Sequence, residues 1–113
     1  MVDFSLISDT YHKIHQHLVE TPLLESPFLS NRLNKRVLIK AECLQKTGSF
    51  KYRGSWSSFV NNDIKNLKKG VLAYSSGNHA QGIAAVAKQL KNEATIIMPK
   101  DAPRLKIKNT QSY

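Results

Sequence analysis

Ile7, Tyr11, Ile14 and Leu18 recur along one face of a 3.6-residue period, so the chain is expected to open with a helix capped by Asp3 or Ser5. Thr21-Pro22 should end it, because the residue before a proline is pushed out of the α region. A short Pro22–Glu25 segment and a helical turn after Ser26-Pro27 follow. Val37–Cys43 (VLIKAEC) has the apolar, β-branched start of a strand. A second helix is predicted from near Ser49, with Tyr52, Trp56, Phe59 and Val60 as its buried stripe and Asn61-Asn62 breaking it. After a lysine-rich link, Lys65 to Gly70, Val71–Tyr74 reads as a short buried strand running into Ser75-Ser76-Gly77-Asn78, with Asn78 as a helix cap. The next helix places Ala80, Ile83, Ala84 and Ala87 on one face, small enough to lie close on a sheet. Ala94–Met98 is the following strand, and Pro103 suits the first turn of a last helix.

Strands alternating with helices predict an α/β fold of right-handed βαβ units on a parallel sheet. Three clear strands are few for such a sheet, which needs cover on both faces. The chain also stops at Ser112-Tyr113 within a plausible helix, without a terminating glycine. Both features lead us to expect the N-terminal piece of a longer protein.

Composition narrows the class. With 113 residues, 41% apolar and 22% charged, the chain has ordinary globular usage, and neither disorder nor low complexity is the default. No apolar run approaches the roughly 18 residues of a membrane span, and the first twenty residues have no secretory-signal block. The single cysteine, Cys43, cannot form an internal disulfide, and we expect a cytoplasmic protein with Cys43 as a buried small hydrophobe at a strand end. Seventeen Lys and Arg against eight Asp and Glu give +9, which leaves open a nucleic-acid surface, an anionic small ligand, or one half of a larger molecule. The runs Lys65/Lys68/Lys69 and Arg104/Lys106/Lys108 read as solvated faces without the aromatic interleaving of RNA-binding segments. His12, His15 and His17 lack the further ligands zinc requires and read as surface residues, and no metal site is expected.

Two segments offer chemistry. Thr47-Gly48-Ser49-Phe50-Lys51-Tyr52-Arg53-Gly54 places Lys51 in the first turn of a helix, the wrong end of the dipole for a cation, with Arg53 beside it. Both effects would lower the lysine pKa, as a Schiff-base amine requires; a solvated surface lysine, one of thirteen in the chain, is the plainer alternative. Ser75-Ser76-Gly77-Asn78-His79-Ala80-Gln81-Gly82 lies at the carboxyl end of a predicted strand, where open α/β sheets bind ligands. Its hydroxyls, backbone N–H groups and helix N-terminus suit a carboxylate or phosphate. It is not a P-loop, because Ile83-Ala84 stands where Lys-Ser/Thr is required.

Together these segments resemble the threonine/serine dehydratase and serine racemase branch of the fold type II, tryptophan synthase β-like pyridoxal-phosphate enzymes. Lys40-Ala41-Glu42 and Gln45 to Gly54 are similar to the segment around the cofactor lysine, and Ser75 to Gly82 to the asparagine loop. Thr21-Pro22-Leu23 and Met98 to Pro103 match the flanking signatures. Tyr52 replaces the Asp that follows this lysine in threonine synthases, and His79 the Thr that follows the loop asparagine in cysteine synthases. Ser55 departs from the alanine usual after Arg-Gly.

The resemblance implies a three-layer parallel-sheet fold, incomplete here. Residues 1–66 would begin the large cofactor-binding domain, and 67–113 the smaller α/β domain. It implies pyridoxal phosphate held covalently on Lys51, which would then move the Cα proton, with Phe50 packing near the ring and Asn78 bonding the ring hydroxyl. Ser75, Ser76, Gly77, Asn78 and His79 would bind the substrate carboxylate, and Ser76 would be the second acid/base in racemising relatives. The implied substrate is a small hydroxy amino acid, L-threonine or L-serine, converted to a 2-oxo acid and ammonia, by a homo-oligomer without nucleic-acid or membrane partners. Serine racemase and hydroxy-aspartate dehydratase are the alternatives within the branch; outside it stand a non-catalytic remnant and a basic nucleic-acid-binding module. The phosphate loop, the partner of the pyridine nitrogen and the cation site would lie beyond Tyr113, so residues 1–113 alone are expected to be inactive.

Overall fold

The computed structural model describes residues 3–63 and 67–113; Lys65 of the predicted link lies outside them. Helix α1 (Phe4–Ile14) begins at Asp3, whose carboxylate accepts from the Leu6 N–H at 3.0 Å. This bond, with one from the Ser5 hydroxyl, holds the Asp3 carboxyl below its usual pKa. The apolar face expected of α1 is present, but Ile7 and Tyr11 stay exposed and only Ile14 is buried. Helix α1 ends seven residues before Thr21, giving way to a 3-10 turn at His15–His17 and extended backbone at Leu18. The reason is tertiary. The Gln45 side chain accepts from the Val19 N–H at 3.0 Å and donates to the Val19 carbonyl at 2.9 Å, satisfying groups a longer helix would have paired internally.

Strand β1 (Leu23–Glu25) and strand β2 (Leu38–Lys40) form an antiparallel pair, with Leu24 opposite Ile39. Helix α2 (Pro27–Leu33) joins them, capped by Ser26 and ended by Asn34 in the left-handed conformation. One expectation is corrected here, and a segment given no structure from the sequence acquires one. The Pro22–Glu25 segment contains a strand, and the strand within Val37–Cys43 is three residues long, its remainder turning into a 3-10 helix at Glu42–Leu44. Cys43 is accordingly exposed.

Helix α3 (Lys51–Val60) buries Tyr52, Trp56 and Phe59, as its stripe predicted. Strand β3 (Val71–Tyr74), helix α4 (Asn78–Gln89) and strand β4 (Ala94–Ile97) make one parallel βαβ unit, with Val71 opposite Ala94 and Tyr74 opposite Ile97. Helix α5 (Arg104–Gln111) follows Pro103 and ends before Ser112-Tyr113. Every residue from Ala80 to Ala87 is buried, because α4 packs against α3, α5 and both strands at once. Its alanines permit this close approach. The core joins Ile14, Tyr52, Trp56 and Phe59 to Ile83, Ala85, Val86 and Ala87, flanked by Val71, Ala73 and Ile96. Leu72, Tyr74 and Ile97, on the other face of the β3–β4 pair, are exposed. The described residues therefore supply a sheet and the helices on one of its faces.

Candidate active site

The turn that presents Lys51 is unusual in its backbone. Thr47 and Gly48 are both left-handed, at φ +64° and +72°, before Ser49 returns to extended geometry and α3 begins. A β-branched residue at positive φ costs on the order of 1–3 kcal/mol and persists only where its surroundings impose it. Here the backbone reverses direction so that Lys51 becomes the first residue of α3, with its ammonium exposed and 5.2 Å from the centre of the Phe50 ring.

Helix α3 is held against α4 at this same point. The buried Ser55 hydroxyl donates to the Lys51 carbonyl at 2.9 Å. A methyl group on Gly82 of α4 would come within 2.6 Å of that hydroxyl and 3.2 Å of that carbonyl. Only the absence of a side chain at Gly82 lets the two backbones approach so closely.

Strand β3 delivers the second segment. The Ser75 N–H continues the sheet ladder to the Ile97 carbonyl at 3.0 Å, and the Gly77 N–H donates to Ser75 Oγ at 3.2 Å. Gly77 takes the cap position and α4 starts at Asn78, so Asn78 is the first helical residue rather than the expected cap. The N–H groups of Ser76, Asn78 and His79 make no hydrogen bond with the other described residues. They form a donor array at the positive end of a twelve-residue helix, suited to a carboxylate.

The two segments meet. Lys51 and Ser75, Ser76, Gly77, Asn78 and His79 line a single open cleft of about 820 Å³, completed by Tyr74, Ile97, Met98 and Pro99. Phe50 does not line it; its ring faces a separate groove between α1 and α3 while flanking the Lys51 ammonium. The cleft has the size of a cofactor site. It offers a primary amine for an aldehyde, an amide, and unpaired N–H groups for an anion, a donor set that fits pyridoxal phosphate.

Arg53 has a different task from the one expected beside Lys51. Its guanidinium grips Glu42 with two bonds, at 2.8 and 2.9 Å, and donates to the Val19 carbonyl at 3.1 Å. The hydrogen bond from Arg53, reinforced by one from the Thr21 hydroxyl, holds the Glu42 carboxyl below the usual glutamate range. The Glu42 carboxylate in turn raises the Arg53 pKa. Its charge is thus matched locally within a structural clasp.

The sequence places Lys106 only within a solvated basic run. In the structure its ammonium reaches Asn78 Oδ1 at 2.5 Å. The signal that could have found it is the one that singled out Lys51, a lysine in the first turn of a helix. Of the histidines, His12 and His15 stay exposed and bond backbone carbonyls of α1, while His17 stacks on Trp56 with ring centres 3.9 Å apart. No group of three or more His, Cys, Asp or Glu converges on a possible metal position among the described residues. Nor, among them, is any helix long and apolar enough to cross a membrane.

Known proteins resemble this chain over most or all of its length. L-threo-3-hydroxyaspartate ammonia-lyase of Saccharomyces cerevisiae is 42% identical over 107 residues, covering 95% of this chain and 33% of its own length. The catabolic L-threonine dehydratase of Staphylococcus aureus is 40% identical over 114 residues, covering all of this chain and 33% of its own length. Among solved structures, maize serine racemase superposes with a TM-score of 0.89 at 35% identity, covering 99% of this chain and 34% of that one. The chain spans about a third of the length of these relatives, and its architecture is that part of the fold type II arrangement. The family model described as pyridoxal-phosphate dependent enzyme matches residues 14–113, which include both the lysine turn and the asparagine loop, and the chain belongs to that family.

Proposed function

We propose that the cleft is the cofactor and substrate site of an ammonia-lyase acting on a small β-hydroxy amino acid: L-threonine, L-serine or L-threo-3-hydroxyaspartate. The observation that carries this reading is the convergence of Lys51 and the Ser75–His79 loop on one cleft. In this reading residues 1–66 begin the large domain and 67–113 the small one, so the cleft forms where they meet.

Pyridoxal phosphate, bound covalently at Lys51, supplies an electron sink for the pair left at Cα when its proton departs. Asn78 holds the ring hydroxyl. The N–H groups of Ser76, Asn78 and His79 bind the substrate carboxylate, with the dipole of α4 behind them. Lys51 Nζ would be the base that takes the Cα proton. Loss of the β-hydroxyl as water, followed by hydrolysis that takes up one water, leaves a 2-oxo acid and ammonia. Phe50 flanks Lys51 from outside the cleft and limits where its amine can swing.

The Ser76 hydroxyl, in the same cleft as Lys51, favours one second reading. A proton donor separate from the lysine would return a proton to Cα and racemise the substrate. The test is to supply pyridoxal phosphate to the protein carrying this chain and to its Lys51→Ala variant. Visible absorbance of lysine-bound cofactor, lost in the variant, is expected, together with ammonia and 2-oxo acid release from at least one of the three substrates. Formation of D-serine without ammonia would establish the second reading. Equal absorbance with and without Lys51 would refute both. A homo-oligomeric state belongs to the same proposal and is read by light scattering.

A further inference from the structure

Lys106 occupies the first turn of α5, and its ammonium lies against the first residue of α4. Both places are positive ends of helix dipoles, where a cation is disfavoured. Local rules broken without local compensation gather at functional sites, and two observations say what Lys106 does there. Its alkyl stem lies along the asparagine loop: a methyl group on Gly77 would sit 3.6, 3.7 and 3.9 Å from its Cγ, Cδ and Cε. Its ammonium reaches Asn78 Oδ1 at 2.5 Å.

An ammonium has donors and no acceptor, so the Asn78 amide can meet it only through its oxygen. The amide is thereby fixed in one of its two orientations. Oδ1 faces α5, and Nδ2 is left as the donor on the side of the amide away from Lys106. Without that bond the amide is free to turn over and offer an oxygen to the same target. An oxygen there would repel the ring hydroxyl oxygen that the nitrogen attracts.

We propose that Lys106 is a positioning residue that fixes the Asn78 amide with its nitrogen toward the cofactor ring oxygen. The inference rests on the reading of the cleft given above. It adds to that reading a residue from the last helix, one that does not itself line the cleft.

The test compares Lys106→Met, which keeps the stem and removes the donors, with Lys106→Arg, which keeps a cationic donor. Both are combined with Asn78→Ala in the protein carrying this chain. Equilibrium affinity for pyridoxal phosphate and the position of the bound cofactor's absorption band are measured alongside the thermal midpoint. Lys106→Met is expected to weaken cofactor binding about tenfold, the scale of one charge-assisted hydrogen bond, and to shift the band as Asn78→Ala does. Lys106→Arg should restore most of both, and Lys106→Met should add nothing once Asn78 is alanine. If Lys106→Met fails to fold, Lys106→Gln is used in the same cycle.

Unchanged affinity and band in the folded Lys106 variant, or additive losses in the double variant, would overturn the inference and leave the cofactor site standing. Failure of the unsubstituted protein to take up pyridoxal phosphate would overturn both. The side-chain amide resonances of Asn78 in the cofactor-free protein give an independent reading. They should move in Lys106→Met and recover in Lys106→Arg; resonances indifferent to Lys106 count against the inference.

Discussion

Helix α3 is secured in two ways on its two sides, and the contrast explains how Lys51 is held. Toward α4 the contact is close and mostly apolar. Tyr52, Trp56 and Phe59 pack on Ile83 and Val86, and Gly82 lets the backbones meet at the Lys51 carbonyl. Toward the N-terminal segment Ile14 and the His17 ring join that core, and beyond them the contact is a polar clasp. Arg53 holds Glu42, Thr21 and Val19; Gln45 holds Val19; and the Lys46 ammonium donates to the His17 carbonyl at 2.8 Å. The apolar side sets distance, because packed volumes resist change by even one methyl group. The polar side sets direction, because a guanidinium fork and an amide accept only a few geometries. Lys51 lies between them, at the start of the helix that both sides grip.

The contrast is disrupted most strongly from the apolar side. Trp56 is 1% exposed and stacked on His17, so Trp56→Ala should destabilise the fold by about 3–5 kcal/mol, measured by denaturant unfolding. A loss below about 1 kcal/mol would show that the apolar packing of α3 does not dominate. Gly82→Ala comes next, at about 1–3 kcal/mol from overpacking. Because the nearest atom is Ser55 Oγ, adding Ser55→Ala should recover part of the loss, whereas further loss in the double variant would place the strain elsewhere.

The smallest effect tests the polar side through pH. Glu42→Gln should cost about 1–2 kcal/mol at pH 7, because it leaves a partly buried guanidinium without its charge partner. Glu42 has a lowered pKa in the folded state. The stability it contributes is therefore fully present above the unfolded glutamate value of about 4.3 and lost as pH falls through the lower folded value. The difference between the unsubstituted protein and the Glu42→Gln variant should shrink across that window, while the cost of Gly82→Ala stays level. A pH-independent Glu42→Gln penalty would assign the clasp to shape rather than charge.

Much of this is legible in the sequence, and the misses have a common cause. The α3 stripe, the β3–α4–β4 unit and the proline-led last helix follow from local periodicity. The β1–β2 pair does not, because three-residue strands fifteen residues apart are stabilised by each other rather than by their own composition. The early end of α1 escapes for the same reason, since the groups that terminate it belong to Gln45. At the site, Lys51 and the Ser75–His79 loop are visible as two segments. That they face one cleft is a tertiary fact.

The order of amino acids alone was enough to mark the candidate segments, an amine at a helix start and a donor-rich loop at a strand end, and the motif order of the family. These are local properties, set by residue type and by neighbours within a few positions. What each charge does was settled only by tertiary contacts. Arg53 turns to Glu42 and away from the cleft, Lys51 remains exposed beside Phe50, and Lys106 leaves the expected solvated face to hold Asn78. The physical reason is that a charged group's role is set by the partner within hydrogen-bonding reach. For Arg53 and Lys106 that partner lies on an element 11 and 28 residues away along the chain.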